Sequence, residues 1–439
     1  MPEDGKSMRV RVERSKIVKP LHKGEPTSTC LHVPLSVFDK ITYDTHMAVI
    51  YAFRPPTPSN TDIEKGLATV LSEYREWAGR LGEDARGEPV VLLNDAGAQV
   101  FQASSDAPLD VAGLLKPSPA LLTLHPGIQG VEELVQVQLT RFACGSLVVG
   151  FTAHHLVADG HAASKFLVAW GAATRGLPIH PIPFRGRSAL FVPREPPRVE
   201  FQHRGAEFTT KMMFNAKDDP LKDDIVVHKA HFTKPFLTAL KAKASLGSKR
   251  QYSTFESLVA HLWRVISKAR GLDERTTSDV RISVDGRRRL SPPVPDEYLG
   301  NLVLWAFPRA QVGELINSPL QHVAALIHEG IERVDDRYFR SFIDFAKSAA
   351  VEAEGLVTTA DMNEWVVSPN LEVHSWLRFP FYDVNFGGGT PFCFMPTYSP
   401  VEGMLVLLPS TAGDGSIEVY VPLFNHNLAT FKHLCCLLD

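Results

Sequence analysis

His154-His155-Leu156-Val157-Ala158-Asp159-Gly160 decides the reading of this chain. The heptapeptide follows an alternating apolar run, Ser146-Leu147-Val148-Val149-Gly150-Phe151-Thr152, and precedes a helical pattern at 163–174. Together they predict a strand that delivers two histidines at its exit, where side chains can face a cleft. The spacing His155-x-x-x-Asp159 with Gly160 next allows a tight reversal. That reversal turns Asp159 back toward the protein and leaves His155 facing outward. A histidine pair at a strand end also suits a plain surface or a satisfied core. Zinc fits poorly: two adjacent His and one Asp lack ligand spacing, and no Cys or His cluster completes a tetrahedral set. No metal is expected.

Composition narrows the setting. At 439 residues the chain exceeds what one hydrophobic core usually serves, so two domains of about 200 residues each are expected. It is 44% hydrophobic and 22% charged, as ordinary globular proteins are. A net charge of −3 gives no reason to expect nucleic acid or an anionic membrane as partner. No apolar run reaches the roughly 20 residues of a membrane span, and residues 1–14 lack the apolar centre of a signal peptide. Five cysteines, Cys30, Cys144, Cys393, Cys435 and Cys436, are odd in number and without metal spacing, as free thiols in a reducing cytosol would be. The expectation is a cytoplasmic, two-domain monomer.

Local patterns order the rest. Strands are predicted at 8–12, 47–53, 90–93, 99–101 and 134–142, the last turning through Ala143-Cys144-Gly145 into the strand that delivers His155. Residues 63–81 read as one amphipathic helix closed by Gly82. Six prolines between 177 and 198 exclude a helix or a central strand there, marking a crossover. The charged run 217–224 reads as a solvated loop. In the second half, a strand at 225–232 precedes a helix from about 235. Ser253-Thr254-Phe255-Glu256 is a capping box before the helix 258–270, with Gly271 at its end. A strand at 280–284 runs into Asp285-Gly286-Arg287-Arg288-Arg289, the densest positive charge in the chain and the natural place for a phosphate. Further predicted elements are a strand at 302–307, helices at 319–334 and 338–347, and a hairpin of 403–408 with 416–421. The three glycines Gly387, Gly388 and Gly389 mark a loop where backbone comes close to something else. The domains expected are 1–176 and 225–439, joined by an extended linker over 177–224.

His155-x-x-x-Asp159-Gly160 and Asn385-Phe386-Gly387-Gly388-Gly389 together resemble the paired motifs of the plant BAHD acyltransferases, whose downstream motif reads Asp-Phe-Gly-Trp-Gly. Trp77-Ala-Gly-Arg-Leu81, Asp285-Gly-Arg287, Tyr298-x-Gly300-Asn301 and Ser375-Trp-x-Arg378 agree at similar spacing, so the resemblance covers essentially the whole chain. Residues 375–383 and Pro400-Val-Glu-Gly403 look closest to the cereal hydroxycinnamoyl-CoA transferases that acylate agmatine or tryptamine.

The resemblance implies an α/β fold of two chloramphenicol-acetyltransferase-like domains. Each is a mixed sheet flanked by helices, with a channel between the domains for the CoA pantetheine. It implies an acyltransferase with a CoA thioester as co-substrate, no permanently bound cofactor, and direct transfer to the acceptor. A His with a pKa near 6.5 suits removal of a proton from an attacking amine, so His155 is the expected base. Asp159 is expected to be scaffold, paired with Arg287. Ser253, Thr254, Asp285 and Arg287 are the residues expected to line the CoA channel. Asp44, Glu372 and Arg378 are placed near the acceptor, an acidic group there holding a cationic amine.

Two departures stand out: Asn385 where the family has Asp, and Gly388 where it has Trp. The missing ring suggests room for a bulky acceptor, so tryptamine leads agmatine, serotonin and tyramine. The donor, hydroxycinnamoyl or benzoyl, stays open. Competing readings are a peptide-synthetase condensation domain, an alcohol acyltransferase, and a CoA-binding member without turnover.

Overall fold

The computed structural model describes residues 9–22, 24, 31–184, 186–210, 224–360 and 365–438. Met8, Cys30 and the charged loop up to residue 223 lie outside the described residues. The chain divides into two compact units, each discontinuous in sequence. Unit 1 is Met1–Val192, Pro295–Leu302 and Phe379–Tyr398; unit 2 is Pro193–Val294, Val303–Arg378 and Ser399–Asp439. Each holds a mixed sheet flanked by helices.

In unit 1 the sheet runs in the order Arg11–Val18, Ala98–Ser105, Val135–Phe142, Leu147–His154, His46–Phe53, Cys393–Pro396. Only the pair Ala98–Ser105 and Val135–Phe142 is parallel. Leu147–His154 lies inside the sheet and is buried along its whole length, as its near-continuous apolar sequence requires. The hairpin through Ala143-Cys144-Gly145 forms as its alternation predicts. Two helices, Asn60–Leu71 and Gly160–Thr174, pack on each other. Gly66 is the point of closest approach: a Cβ there would stand 2.1 Å from Thr174 Oγ1 and 2.6 Å from its Cα.

The long helix expected over 63–81 is broken. It stops at Leu71, a 3-10 turn follows at Arg75–Ala78, and Leu81 and Gly82 belong to the short strand Arg80–Glu83. The reason is Arg75, which is buried and forks onto Asp95 (3.1 Å from Nε and from Nη2) and donates to the Leu93 carbonyl at 3.0 Å. A guanidinium drawn inward by a buried-side carboxylate needs the chain to turn there. Trp77 is still buried, edge-on to Phe151 and tilted against Phe166. The first strand runs Arg11–Val18 rather than from residue 8.

Unit 2 has the strand order Ile225–Phe232, Ile417–Phe424, Met404–Pro409, Leu371–Ser375, Thr277–Asp285, Val303–Ala306. Its helix Thr254–Arg270 carries the predicted capping box at both ends of the exchange: Glu256 N–H donates to Ser253 Oγ (3.1 Å) and Ser253 N–H to Glu256 Oε2 (2.6 Å). Gly271 closes it in the left-handed region at φ 62°. The interior strand Leu371–Ser375, parallel to both neighbours, has no counterpart among the predicted strands. Only five residues long, it shows too short a period to be read locally.

The Gly66 contact yields a test. Gly66→Ala improves helix propensity, but the new methyl meets Thr174 backbone, and overpacking of this kind costs about 1–3 kcal/mol. A net fall in melting temperature is expected, measured by thermal denaturation; an unchanged or raised value would show that the two helices can separate at no cost.

Candidate active site

The strand Leu147–His154 ends with its last two side-chain directions used by a histidine pair, and alternation sends the two to opposite sides. His154 goes inward. Its ring meets His46 edge-on at 4.6 Å, across the register pair that joins the two strands. His46 Nε2 donates to the Glu133 carbonyl at 2.7 Å, so that nitrogen carries the proton, and burial lowers the His46 pKa. Burial first, then the neighbouring His46 and His155 rings, push His154 down to about 4. His154 is therefore neutral near pH 7, and its Nε2 lies 3.5 Å from the exposed carboxylate of Asp44. The Leu156 N–H points at His154 Nδ1 (3.4 Å), which leaves Nε2 carrying the proton.

His155 leaves the strand half-buried and is gripped at three atoms. Its N–H donates to the Thr45 carbonyl (2.8 Å), its carbonyl accepts from Asn301 Nδ2 (2.9 Å), and its Nδ1 lies 3.0 Å from Thr42 Oγ1. Tyr43 stands edge-on to the ring at 6.2 Å.

Asp159 is buried and turned inward, the reversal expected of it. It is the N-cap of Gly160–Thr174: one carboxylate oxygen accepts from Ala162 N–H (3.0 Å), the other from Leu302 N–H (3.0 Å). The first bond answers an orphan amide of the helix start. The second ties the helix to the segment Pro295–Leu302.

An ion pair that sequence reading missed holds that segment. Asp39 and Arg187, both buried, form an ion pair at 3.0 Å. The second Asp39 oxygen accepts from Asn301 N–H (2.8 Å) and Nδ2 (2.9 Å). Arg187 donates in turn to the carbonyls of Leu299 (2.9 Å) and Val157 (2.7 Å). Burial opposes the charge on Arg187, yet Asp39 and the other acidic groups around it hold its pKa above the ordinary value. Asn301 lies within the stretch Tyr298-x-Gly300-Asn301, but Asp39 and Arg187 had no motif to mark them.

The glycine loop 385–389 also belongs to unit 1. Phe386 anchors it between Trp170 (4.8 Å) and Phe53 (5.4 Å). Asn385 Oδ1 accepts from the N–H groups of Gly387 (2.8 Å) and Gly389 (3.3 Å), so a neutral amide braces the loop. The room imagined at Gly388 does not exist. A Cβ there would lie 1.9 Å from the Pro56 carbonyl oxygen and 3.3 Å from Thr57 Cα. The glycine is there because backbone passes against it, and the argument for a bulky aromatic acceptor goes with the imagined space.

Unit 2 holds the remaining predicted residues. Ser253 is exposed at the helix start with its oxygen engaged in the cap, and Thr254 is half-buried beside it. Arg287 is buried, donating through its backbone N–H (3.0 Å) and Nη1 (3.2 Å) to Asp285. Of the other two arginines, Arg289 reaches Glu332 (3.5 Å) while Arg288 is exposed. Glu372 is buried between His374 (2.8 Å) and Arg281 (3.6 Å), which occupies it internally. Arg378 is exposed.

Among the described residues no group of three or more His, Cys, Asp or Glu could hold a metal. The four described cysteines are free thiols, and no helix among the described residues is long and apolar enough to cross a membrane.

Comparison with known proteins fits this site. A model of the Transferase family matches residues 8–437, and the chain belongs to that family, the BAHD acyltransferases, enzymes with a CoA thioester as co-substrate. It is similar to three proteins of Oryza sativa subsp. japonica. Agmatine hydroxycinnamoyltransferase 1 is 53% identical over 445 residues, covering 98% of this chain and 99% of the relative. Putrescine hydroxycinnamoyltransferase 3 is 53% identical over 436 residues, with 98% and 99% covered. Tryptamine hydroxycinnamoyltransferase 2 is 37% identical over 436 residues, again with 98% and 99% covered. Among solved structures, vinorine synthase shares the fold, with a TM-score of 0.73 at 20% identity, covering 98% of this chain and 99% of that one.

Two outcomes follow from this geometry. Because folding holds His154 near 4 against about 6.5 in the unfolded chain, the unfolded state binds the extra proton between those values. The contribution of His154 is complete above pH 6.5 and is lost as pH falls toward 4. At pH 4.5 that is on the order of 2 kcal/mol. Denaturant titrations at pH 7 and 4.5 should differ less in His154→Gln than in the wild type; His228, also held near 4, keeps part of the slope in both. The second concerns the glycine loop: Gly388→Trp must displace either Pro56 or the turn. It should lower the melting temperature, with acceptor preference unchanged; a stable variant with a new amine preference would restore the idea of a substrate space there.

Proposed function

We propose that the protein moves a hydroxycinnamoyl group from its CoA thioester to a primary amine, agmatine first among acceptors, with His155 as general base. The observation that carries the choice of acceptor is the 53% identity, over nearly the whole chain, to relatives named for agmatine and putrescine, against 37% to one named for tryptamine. Tryptamine had rested on a space at Gly388 that the Pro56 carbonyl fills.

The chemistry runs as follows. An aliphatic amine is mostly protonated near pH 7 and attacks only after its ammonium proton is lost to solvent. His155 takes a second N–H proton as the neutral amine nitrogen bonds to the thioester carbonyl carbon. The tetrahedral intermediate then collapses: the C–S bond breaks, the amide forms, and the departing CoA sulfur takes the proton that His155 returns, giving free CoA thiol. Asp159 holds the helix start and the segment after it, and takes no proton.

Asp44 is the acidic group assigned to the cationic acceptor. Its carboxylate is exposed and lies 3.5 Å from His154, the neighbour of the proposed base, whereas Glu372 is already engaged by Arg281 and His374. Ser253, Thr254, Asp285 and Arg287 are assigned to the pantetheine arm. Exposed Arg288 is the guanidinium of its cluster open to a CoA phosphate.

Thiol release from coumaroyl-CoA tests the proposal, with agmatine, putrescine, tryptamine and shikimate as acceptors. Agmatine should give the highest kcat/KM. His155→Ala should lower kcat by about 10²–10⁴-fold. Asp44→Asn should raise the KM for agmatine about 5-fold, as an interaction near 1 kcal/mol requires, and leave that for coumaroyl-CoA unchanged. Preference for tryptamine would overturn the acceptor, and release only with shikimate would overturn amine transfer. CoA binding without turnover would make the protein a binding member of its family.

A further inference from the structure

Two of the three contacts that hold His155 trace back to Asp39. Asp39 accepts the Ser36 N–H (2.7 Å) and, through its backbone carbonyl, the Thr42 N–H (3.4 Å), which fixes the turn that presents Thr42. The same carboxylate holds Asn301, whose amide grips the His155 carbonyl. Thr42 is buried, and its hydroxyl meets Nδ1 of the ring at 3.0 Å. A buried hydroxyl at that distance orients the imidazole about both side-chain torsions, and its oxygen can accept as well as donate.

We infer that Thr42 is a positioning residue for the transfer reaction, one that sets the direction of His155 Nε2 by accepting the Nδ1–H hydrogen bond and so holds the tautomer in which Nε2 is free to take a proton. This rests on the reading of His155 as base. For Nε2 to act as base, the single proton of the neutral ring must sit on Nδ1, and Thr42 Oγ1 is the acceptor placed for that N–H. When Nε2 takes the proton of the attacking amine, both nitrogens carry hydrogen and the Nδ1–H bond to Thr42 is kept. No charge is added, so the ring keeps its basicity while its direction is fixed. With the hydroxyl removed, the imidazolium faces a methyl group and the ring is free to swing. Misdirection of a base by about 1 Å costs up to 10²-fold in rate.

Thr42→Val keeps the shape and removes the hydroxyl; Thr42→Ser keeps the hydroxyl and removes the methyl. Steady-state kinetics with coumaroyl-CoA and agmatine, or whichever amine turns over, are run on both beside His155→Ala, with melting temperatures for each. The valine variant should lose about 10–100-fold in kcat with the KM values for both substrates within about 3-fold of wild type, and serine should recover most of kcat. A valine variant with wild-type kcat, beside an inactive His155→Ala, sinks the inference and leaves the base standing. Loss in valine and serine alike, together with a lowered melting temperature, shows a packing role only and also overturns it. An active His155→Ala removes the base itself, and the inference falls with it.

Discussion

The arrangement around His155 depends on one buried ion pair, Asp39 with Arg187. Taking both charges out of water costs several kcal/mol each, and attraction between them compensates only if the remaining hydrogen-bonding positions are also met. Here they are met by backbone and by one amide. Asp39 accepts from Ser36, from Asn301 twice and from Arg187, and Arg187 serves two carbonyls. The partners of the pair come from three stretches distant in sequence: the turn at 36–42, the strand exit at 155–157, and the segment at 299–301. An apolar pair of equal volume could stabilise this region as well. It could not dictate where two carbonyls and an amide must lie, and that constraint fixes the exit of the strand beside His155.

Within that frame, two adjacent histidines acquire different properties from strand geometry alone. His154 lies on the buried side against His46, where charge is disfavoured by burial and by the other rings, and it stays neutral. His155 emerges past the strand end, held through backbone and Nδ1. A motif that reads as a pair is thus one packed residue and one, proposed above as the base, that leaves the sheet. The difference lies in which face of the sheet each Cβ leaves from.

Local signals in the sequence were dependable where the physics is local. The hairpin into Leu147–His154, the capping box at Ser253 and Glu256, the αL glycine at 271 and the inward turn of Asp159 each involve residues within a few positions of one another, and each is found. What the sequence conceals is long-range. Cys393–Pro396 joins the sheet of unit 1 at His46–Phe53, some 340 residues earlier, and no periodicity announces a partner so remote. Arg75 breaks a convincing amphipathic pattern because it has a carboxylate to meet at Asp95. Asp39 and Arg187 look like any surface acid and base in the sequence, and only the fold shows both with no solvent around them. Gly388 misled in another way. A glycine replacing a large ring suggests empty space, but a glycine also permits another backbone to fill the space, as Pro56 does.

The identity of the group at Nδ1 bears on the base role proposed for His155. In serine hydrolases a carboxylate occupies that position and stabilises an imidazolium that must wait to protonate a poor leaving group. His155 has a threonine hydroxyl instead. Transfer from a thioester asks less of its base, because a thiol ionises near 8.5 and leaves readily as thiolate. An amine, once neutral, is also a better nucleophile than a hydroxyl. The demanding step is delivery of a deprotonated amine in the right direction. A neutral acceptor that orients the ring without raising its pKa suits that demand: a carboxylate there would favour the imidazolium and keep part of the histidine protonated at the pH where a free base is needed.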